Sequence, residues 1–158
     1  MEIERKFRMR ELPEGWEQYP SVLIEQAYVC REPVIRVRKR DDQYILTVKG
    51  EGMLAREEFE LPLSEEAYRS LRSKAEGNVI RKRRVLIPLA PYTVEMDIFE
   101  EPFDDMVLAE IEFPTLEEAE SFMAPVWLGE DVTDDARYHN SNMSVTVYPG
   151  HSFDRGNR

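Results

Sequence analysis

The sequence has very few of the residues that build disulfides, zinc sites and catalytic triads. Cys30 is its one cysteine, so no internal disulfide can form, which fits a reducing compartment and leads us to expect a cytoplasmic location. His139 and His151 are the only histidines, which argues against a histidine-rich zinc site. No Ser-His-Asp or Cys-His arrangement stands out either. If the chain is an enzyme, its chemistry must rest on other residue types.

Long apolar runs, a glycine-rich phosphate loop and an excess of positive charge are also missing. No apolar run approaches the roughly 20 residues of a membrane helix, and the charged start does not resemble a signal peptide. The formal net charge of -11 argues against nucleic acid, because phosphate backbones attract basic surfaces. We therefore expect neither a membrane nor a nucleic acid as partner. Local basic segments still allow a small polyanion to bind.

What the sequence does contain is a repeated alternation of charged and apolar residues, which is the period of a β-strand. At the start of the chain Glu2, Glu4 and Lys6 share one strand face, and Ile3 and Phe7 share the other. Most other candidate strands repeat this pattern. Their charged members are Arg36, Arg38 and Arg40; Lys49; Arg56, Glu58 and Glu60; Lys82 and Arg84; Glu95 and Asp97; and Glu110 and Glu112.

The pattern predicts one α+β domain over residues 1–148, followed by a loose polar tail over 149–158. Strands are predicted over 2–9, 22–30, 34–40, 43–49, 56–62, 79–88, 93–99 and 106–113. Ser64 and Thr115 are predicted to cap two helices that end at Gly77 and before Pro125. Thr133 or Asp134 is the predicted cap of a short third helix.

The charges are sorted by strand, and this sorting favours an inward-facing charged surface. An open sheet with one solvated face would explain each strand separately. It would not explain why acidic pairs lie on the first, middle and last strands, with basic pairs on the strands between. A sheet closed into a barrel brings acids and bases together across a polar lumen. Charges in such an interior must pair, bind metal or bind a charged ligand.

The ordered set of motifs resembles the CYTH domain, or triphosphate tunnel metalloenzyme, family over about residues 1–145, in the form of a short bacterial member. In chain order the motifs are E-x-E-x-K at 2–6, Q-x-Y at 26–28, R-x-R at 36–38, a lysine at 49, R-x-E-x-E at 56–60, K-x-R at 82–84, E-x-D at 95–97 and E-x-E at 110–112. A C-terminal segment with Val132-Thr133-Asp134, Tyr138 and Asn140 follows.

The resemblance implies an eight-stranded antiparallel barrel with helices outside it, whose tunnel binds a triphosphate. It implies that Glu2, Glu4, Glu110 and Glu112 hold Mg²⁺ or Mn²⁺ and, together with Lys6, are catalytic. The implied phosphate-binding residues are Lys6, Arg36, Arg38, Lys49, Arg56, Lys82 and Arg84. The implied supporting residues, or ligands of a second metal, are Glu58, Glu60, Glu95 and Asp97.

These residue types suit attack on a phosphoanhydride. A triphosphate carries about four negative charges, which must be neutralised for attack. We therefore predict a divalent-metal-dependent triphosphatase that uses a metal-activated water on inorganic tripolyphosphate or on a nucleoside or organic triphosphate. A class IV-type adenylate cyclase, a thiamine triphosphatase and a non-catalytic polyphosphate- or nucleotide-binding module remain open. A homodimer also remains open.

Overall fold

An antiparallel sheet of ten strands dominates the computed structural model, which describes residues 1–146. The strands are β1 (Glu2–Met9), β2 (Ser21–Arg31), β3 (Val34–Arg40), β4 (Gln43–Lys49), β5 (Ala55–Arg56), β6 (Glu58–Leu63), β7 (Glu76–Leu89), β8 (Tyr92–Phe99), β9 (Val107–Glu112) and β10 (Glu130–Asp131). The helices are α1 (Glu65–Arg72), α2 (Leu116–Ser121) and α3 (Asn140–Met143), with 3₁₀ turns at Trp16–Gln18, Val126–Leu128 and Ala136–Tyr138.

The strand order is β10-β1-β9-β8-β7-β2-β3-β4-β6, and β5 pairs with β1 beside this path. This confirms the predicted antiparallel sheet with few helices. The predicted closed barrel of eight strands is not confirmed, because the sheet has ten strands and its path ends at β10 and β6. Glu57 divides the strand predicted over 56–62: Arg56 pairs with Glu2 of β1, whereas Glu58 pairs with Lys49 of β4.

Apolar side chains cover the outer face of the sheet, as the inward-facing interpretation of the charges requires. Phe7, Met96 and Ile111 are almost fully buried in a cluster that also includes Ala119 of α2. A second cluster places Tyr68 of α1 against β2 and β3. Burial of these large side chains supplies the main driving force for folding. The helices thus lie where the apolar strand faces need a cover.

Helix starts were predicted more accurately than helix ends. The Ser64 and Thr115 side chains accept hydrogen bonds from the first turns of α1 and α2, as predicted. The predicted helix ends at Gly77 and Pro125 are wrong. Helix α1 ends at Arg72, because the chain must turn early to enter the long strand β7, which already contains Gly77. Helix α2 ends at Ser121, and Phe122 is extended so that its ring packs on Phe113.

The C-terminal segment also differs from its prediction. Asp135, rather than Thr133 or Asp134, caps the turn at Ala136–Tyr138, and α3 has no side-chain cap. The Thr133 hydroxyl instead accepts a hydrogen bond from the backbone N–H of Lys6, at 3.0 Å, and this contact excludes it from capping. The predicted domain end at 148 and the tail at 149–158 lie outside the described residues. Across residues 1–146, no helix has the length and apolar character needed to cross a membrane.

Gly129 gives a test of the packing between the C-terminal segment and β1. Its φ of +83° and ψ of -152° suit glycine only, and a Cβ added there would lie 2.2 Å from the backbone oxygen of Arg8. We expect Gly129→Ala to destabilise the fold by at least about 1–2 kcal/mol in chemical denaturation. Gly50→Ala is the matched control, since its added Cβ would meet no atom closer than 3.7 Å. Equal stability of the two variants would contradict this packing.

Candidate functional site

The inner face of the sheet surrounds a cavity of about 360 Å³ whose walls carry mostly charged side chains. Every strand except β10 contributes to its lining, because alternate residues of a strand point to the same face. The structure brings all but one of the predicted site residues to this cavity. They are Glu2, Glu4, Lys6, Arg36, Arg38, Lys49, Arg56, Glu58, Glu60, Lys82, Arg84, Glu95, Glu110 and Glu112.

Arg36 and Arg38 form a row of cations on β3, and within residues 1–146 neither makes an ion pair. Arg36 Nη2 donates to Thr47 Oγ1 at 3.2 Å, but its buried Nε finds no acceptor among the described atoms. Arg38 Nε donates to Gln26 Oε1 at 2.8 Å. Burial, followed by the charges of Arg36 and Arg84, lowers the pKa of Arg38 to about 9. This wall therefore carries positive charge that no ion pair within residues 1–146 neutralises, and an anion would do so.

Asp97 is the exception among the predicted site residues. It is 1% exposed and lies behind the cavity wall, where Lys82 Nζ approaches its Oδ2 at 2.7 Å. Arg84 binds it with two parallel hydrogen bonds of 2.8 and 2.9 Å and donates to Glu110 Oε1 at 2.8 Å. Burial acts to raise the pKa of Asp97, but Arg84 and Lys82 lower it overall. Asp97 is therefore placed to hold these two cations in position.

Burial makes the positive charge of the Lys82 amine unfavourable. Burial lowers the pKa of its amine to about 7, although the neighbouring Asp97 acts to raise it. A buried charge of this kind remains ionised only if its partners stay in place. The Lys82 amine therefore depends on Asp97 on one side and on Asn140 Oδ1, at 2.8 Å, on the other.

The acids gather at the other side of the cavity, on β1 and β9. The pairing of these strands places Glu4 opposite Glu112 and Lys6 opposite Glu110. Lys49 Nζ lies 2.8 Å from Glu2 Oε1, and Lys6 Nζ lies 3.4 Å from Glu110 Oε2. Burial first, and then the charges of Glu110 and Glu2, raise the pKa of the Glu4 carboxyl to about 8. The crowding of carboxylates is only partly compensated by the neighbouring lysines.

This acidic side has the right donor type for a divalent cation but is not a preformed metal cage. Among residues 1–146, no group of three or more acid, cysteine or histidine side chains is close enough to hold an ion by itself. Mg²⁺ commonly uses one or two carboxylates, several waters and the phosphate oxygens of a substrate. The raised pKa of Glu4 shows that carboxylate charge is unfavourable here without a further cation. The residues present therefore fit a site that substrate phosphates would complete.

Several lining residues were missing from the predicted site: Tyr28, Arg40, His139, Asn140 and Ser141. Strand alternation already placed Arg40 on the face of Arg36 and Arg38, but the predicted site did not include it. Tyr28 lies on β2, whereas His139, Asn140 and Ser141 come from the C-terminal segment, which enters the cavity through tertiary packing that no periodic pattern reveals. His139 Nε2 lies 3.1 Å from the backbone oxygen of Thr133, and burial, followed by the charge of Lys6, lowers the pKa of its imidazole.

Comparison with known proteins finds relatives over most of the chain, although no protein-family model matches it. An inorganic triphosphatase of Nitrosomonas europaea is 31% identical over 150 residues, which cover 92% of this chain and 98% of the relative. An inorganic triphosphatase of Acetivibrio thermocellus is 36% identical over 156 residues, with 93% and 95% covered. A crystal structure of an inorganic triphosphatase has a TM-score of 0.70 and 29% identity, covering 94% of this chain and 97% of its own.

The raised pKa of Glu4 predicts how stability depends on pH. The folded protein keeps a proton on Glu4 between about pH 4.5 and about pH 8, where the unfolded chain has lost it, so Glu4 destabilises the fold progressively as pH rises through this window. The side chain of Glu4→Gln cannot ionise, so this variant does not lose that stability as pH rises. We expect its melting temperature to gain on the wild type from pH 5 to pH 9, measured without metal.

The control for this comparison is Glu120→Gln, because Glu120 is exposed on α2, away from the cavity. Its melting temperature should follow the wild type across the same pH range. Parallel curves for wild type and Glu4→Gln would show that Glu4 titrates normally and would contradict the prediction.

Proposed function

The chain belongs to the inorganic triphosphatase family, and we propose that its own substrate is inorganic tripolyphosphate. Its reaction is the hydrolysis of a triphosphate, as 31% and 36% identity to two inorganic triphosphatases over nearly their full lengths indicates. The finer assignments are part of the proposal: membership of the CYTH group, a divalent metal ion and the roles of single residues. The cytoplasmic location, the domain boundary and a homodimer stay predictions.

The observation that carries the proposal is the pair of cavity-wall cations, Arg36 and Arg38, neither of which makes an ion pair within residues 1–146. The buried Nε of Arg36 lacks an acceptor in the described chain, and phosphate oxygens would provide one. Arginine binds phosphate through several parallel hydrogen bonds, which are stronger than neutral ones. Lys82 and Arg84 extend the same wall and are held rigidly from behind by Asp97. A chain of phosphates lying along this wall would have its charge neutralised.

Glu2, Glu4, Glu110 and Glu112 would hold a divalent ion, Mg²⁺ or Mn²⁺, opposite that wall. When bound, such an ion supplies charge neutralisation at phosphate oxygens and makes water more acidic. The chain's own residues supply the rest. Lys6 and Lys49 limit repulsion among the carboxylates, and one of the four carboxylates accepts the proton of the attacking water. The arginine wall stabilises the charge that develops on the departing phosphate.

An inorganic substrate is favoured by the nature of the lining. Val34 and Ile45 are the aliphatic residues among those that line the cavity, and the others are largely charged. Pockets for organic groups are usually lined by apolar and aromatic side chains. Phosphate release should therefore be fastest from tripolyphosphate when it is compared with ATP and thiamine triphosphate. Faster release from either organic substrate, or cyclic AMP formed from ATP, would contradict this choice of substrate.

Two adjacent residues of β3 provide a matched test of the phosphate wall. Arg38 points into the cavity, whereas Lys39 is exposed on the opposite face of the same strand. Arg38→Ala is expected to lower kcat/KM for tripolyphosphate by about 100-fold or more, because a fixed cation at the reacting phosphates is lost. Lys39→Ala removes the same charge and should stay within about twofold of wild type. Equal effects would mean that net charge alone, rather than the cavity, is responsible.

Metal dependence is tested by chelation. Treatment with EDTA followed by its removal should abolish phosphate release, and Mg²⁺ or Mn²⁺ should restore it. Glu4→Gln should then need a higher metal concentration for half-maximal activity than wild type, by about tenfold or more, since the loss of a metal-holding residue weakens binding at least as much as the loss of its supporting partners. Glu120→Gln serves again as the exposed control. Full activity in chelated protein would refute the metal requirement.

A further inference from the structure

A hydrogen-bonded relay runs from the C-terminal segment to the phosphate wall through Gln26. This residue is fully buried on β2 and is paired in register with Arg38 of β3. Its Oε1 accepts from Arg38 Nε at 2.8 Å. Its Nε2 donates to Asn140 Oδ1 of α3 at 2.9 Å and to the Tyr28 hydroxyl at 3.2 Å. One side chain thus joins a cavity arginine to a segment 114 residues further along the chain.

The chemistry of the groups permits only one orientation of this relay. An arginine side chain can only donate hydrogen bonds, so the amide oxygen of Gln26 must face Arg38. Its amino group then faces Asn140, which must present its own oxygen. The amine of Lys82 makes the same demand, because it donates to that oxygen at 2.8 Å. Both amide side chains are therefore locked in orientation by cations of the cavity wall.

The hydrogen bond to Gln26 leaves the two terminal guanidinium nitrogens of Arg38 directed at the cavity. Nε is the guanidinium nitrogen that Gln26 occupies, and within residues 1–146 the two terminal nitrogens make no hydrogen bond that would compete with a phosphate. Burial first, and then the positive charges of Arg36 and Arg84, lower the pKa of Arg38. Among the described residues, Gln26 is the hydrogen-bond partner that holds the plane of this guanidinium.

The C-terminal segment is anchored independently of the relay. Lys6 donates from its backbone N–H to Thr133 Oγ1 and from Nζ to the backbone oxygen of Tyr138, each at 3.0 Å. Tyr138 and Met143 are buried in a cluster with Phe103. These contacts bring Asn140 to the cavity at a fixed position. The segment is therefore anchored to β1, and its Asn140 side chain contacts the cavity wall.

We propose that Gln26 and Asn140 are positioning residues, through which the docked C-terminal segment orients Arg38 and Lys82 for binding the phosphates. The inference rests on the proposed function, since it assumes that Arg38 binds substrate phosphate. It assigns a role to a buried amide pair that accepts hydrogen bonds from two cations of the phosphate wall, Arg38 and Lys82.

The test is Gln26→Met, which keeps most of the side-chain volume and removes both ends of the relay. A misoriented Arg38 weakens substrate binding, so KM for tripolyphosphate should rise about tenfold or more while kcat of the folded protein stays within about twofold. In an Arg38→Met background, Gln26→Met should raise KM no further, because the residue through which it acts is absent. Asn140→Leu should raise KM, and Asn140→Asp, which keeps the acceptor oxygen, should raise it less.

Tyr68→Phe is the control for a purely structural effect. It removes a buried hydroxyl that donates to Glu25 Oε1 at 2.8 Å on the outer side of β2, so it should lower the melting temperature and leave KM unchanged. The proposal is overturned if Gln26→Met behaves like this control, or if its effect persists in the Arg38→Met background. If Gln26→Met does not fold, the two Asn140 variants decide the question. A loss of activity in Arg38→Met with wild-type KM in the relay variants would refute only the positioning role, whereas wild-type kinetics in Arg38→Met would refute the phosphate site as well.

Discussion

The ion pairs of Asp97 with Lys82 and Arg84 are the interaction on which the rest of the inner face depends. One carboxylate that is 1% exposed holds two cations at 2.7 and 2.8 Å and turns them toward the cavity. Removing it would leave two buried positive charges beside Arg36 and Arg38, a cost far above that of a surface ion pair. The polar interior is thus stable because an acid outside the cavity compensates the bases that line it, and the remaining bases stay available for an anion.

The sequence predicted most strands because their alternation is strict and because one face must be buried under the helices. It predicted the bounds of β1, β3 and β4 to the residue, but it did not predict every boundary. The division at Glu57 depends on two strands, β1 and β4, that compete for adjacent stretches of chain. The early end of α1 depends on the entry of the chain into β7, and the extended Phe122 depends on the packing of its ring on Phe7 and Phe113. Such boundaries are decided by tertiary contacts, which a local sequence pattern does not reveal.

The candidate site, too, was predicted from the sequence only in part. Strand parity placed the acids and bases on one face, and the cavity lining agrees with it for every predicted site residue but Asp97. Asp97 lies on the same strand face as Glu95, but Glu95 lines the cavity and Asp97 is buried behind its wall. How deeply a side chain is buried cannot be deduced from strand alternation. Asn140 entered the sequence argument only through a motif. Its function as a partner of Gln26 and Lys82 requires the C-terminal segment to fold back on β1.

The position of β1 has a consequence for how the protein is made. Strand β1 pairs with β9, so that Met9 lies opposite Val107. The backbone N–H of Lys6 also bonds to Thr133, which lies 127 residues later in the chain. Contacts of such high sequence separation form slowly. During synthesis β1 can pair with β5 early, but its pairing with β9 and its contact with Thr133 must wait until those later residues have emerged. Assembly of the inner charged surface is therefore a late step of folding, and until β9 has formed, the edge of β1 that it covers stays exposed to unwanted pairing.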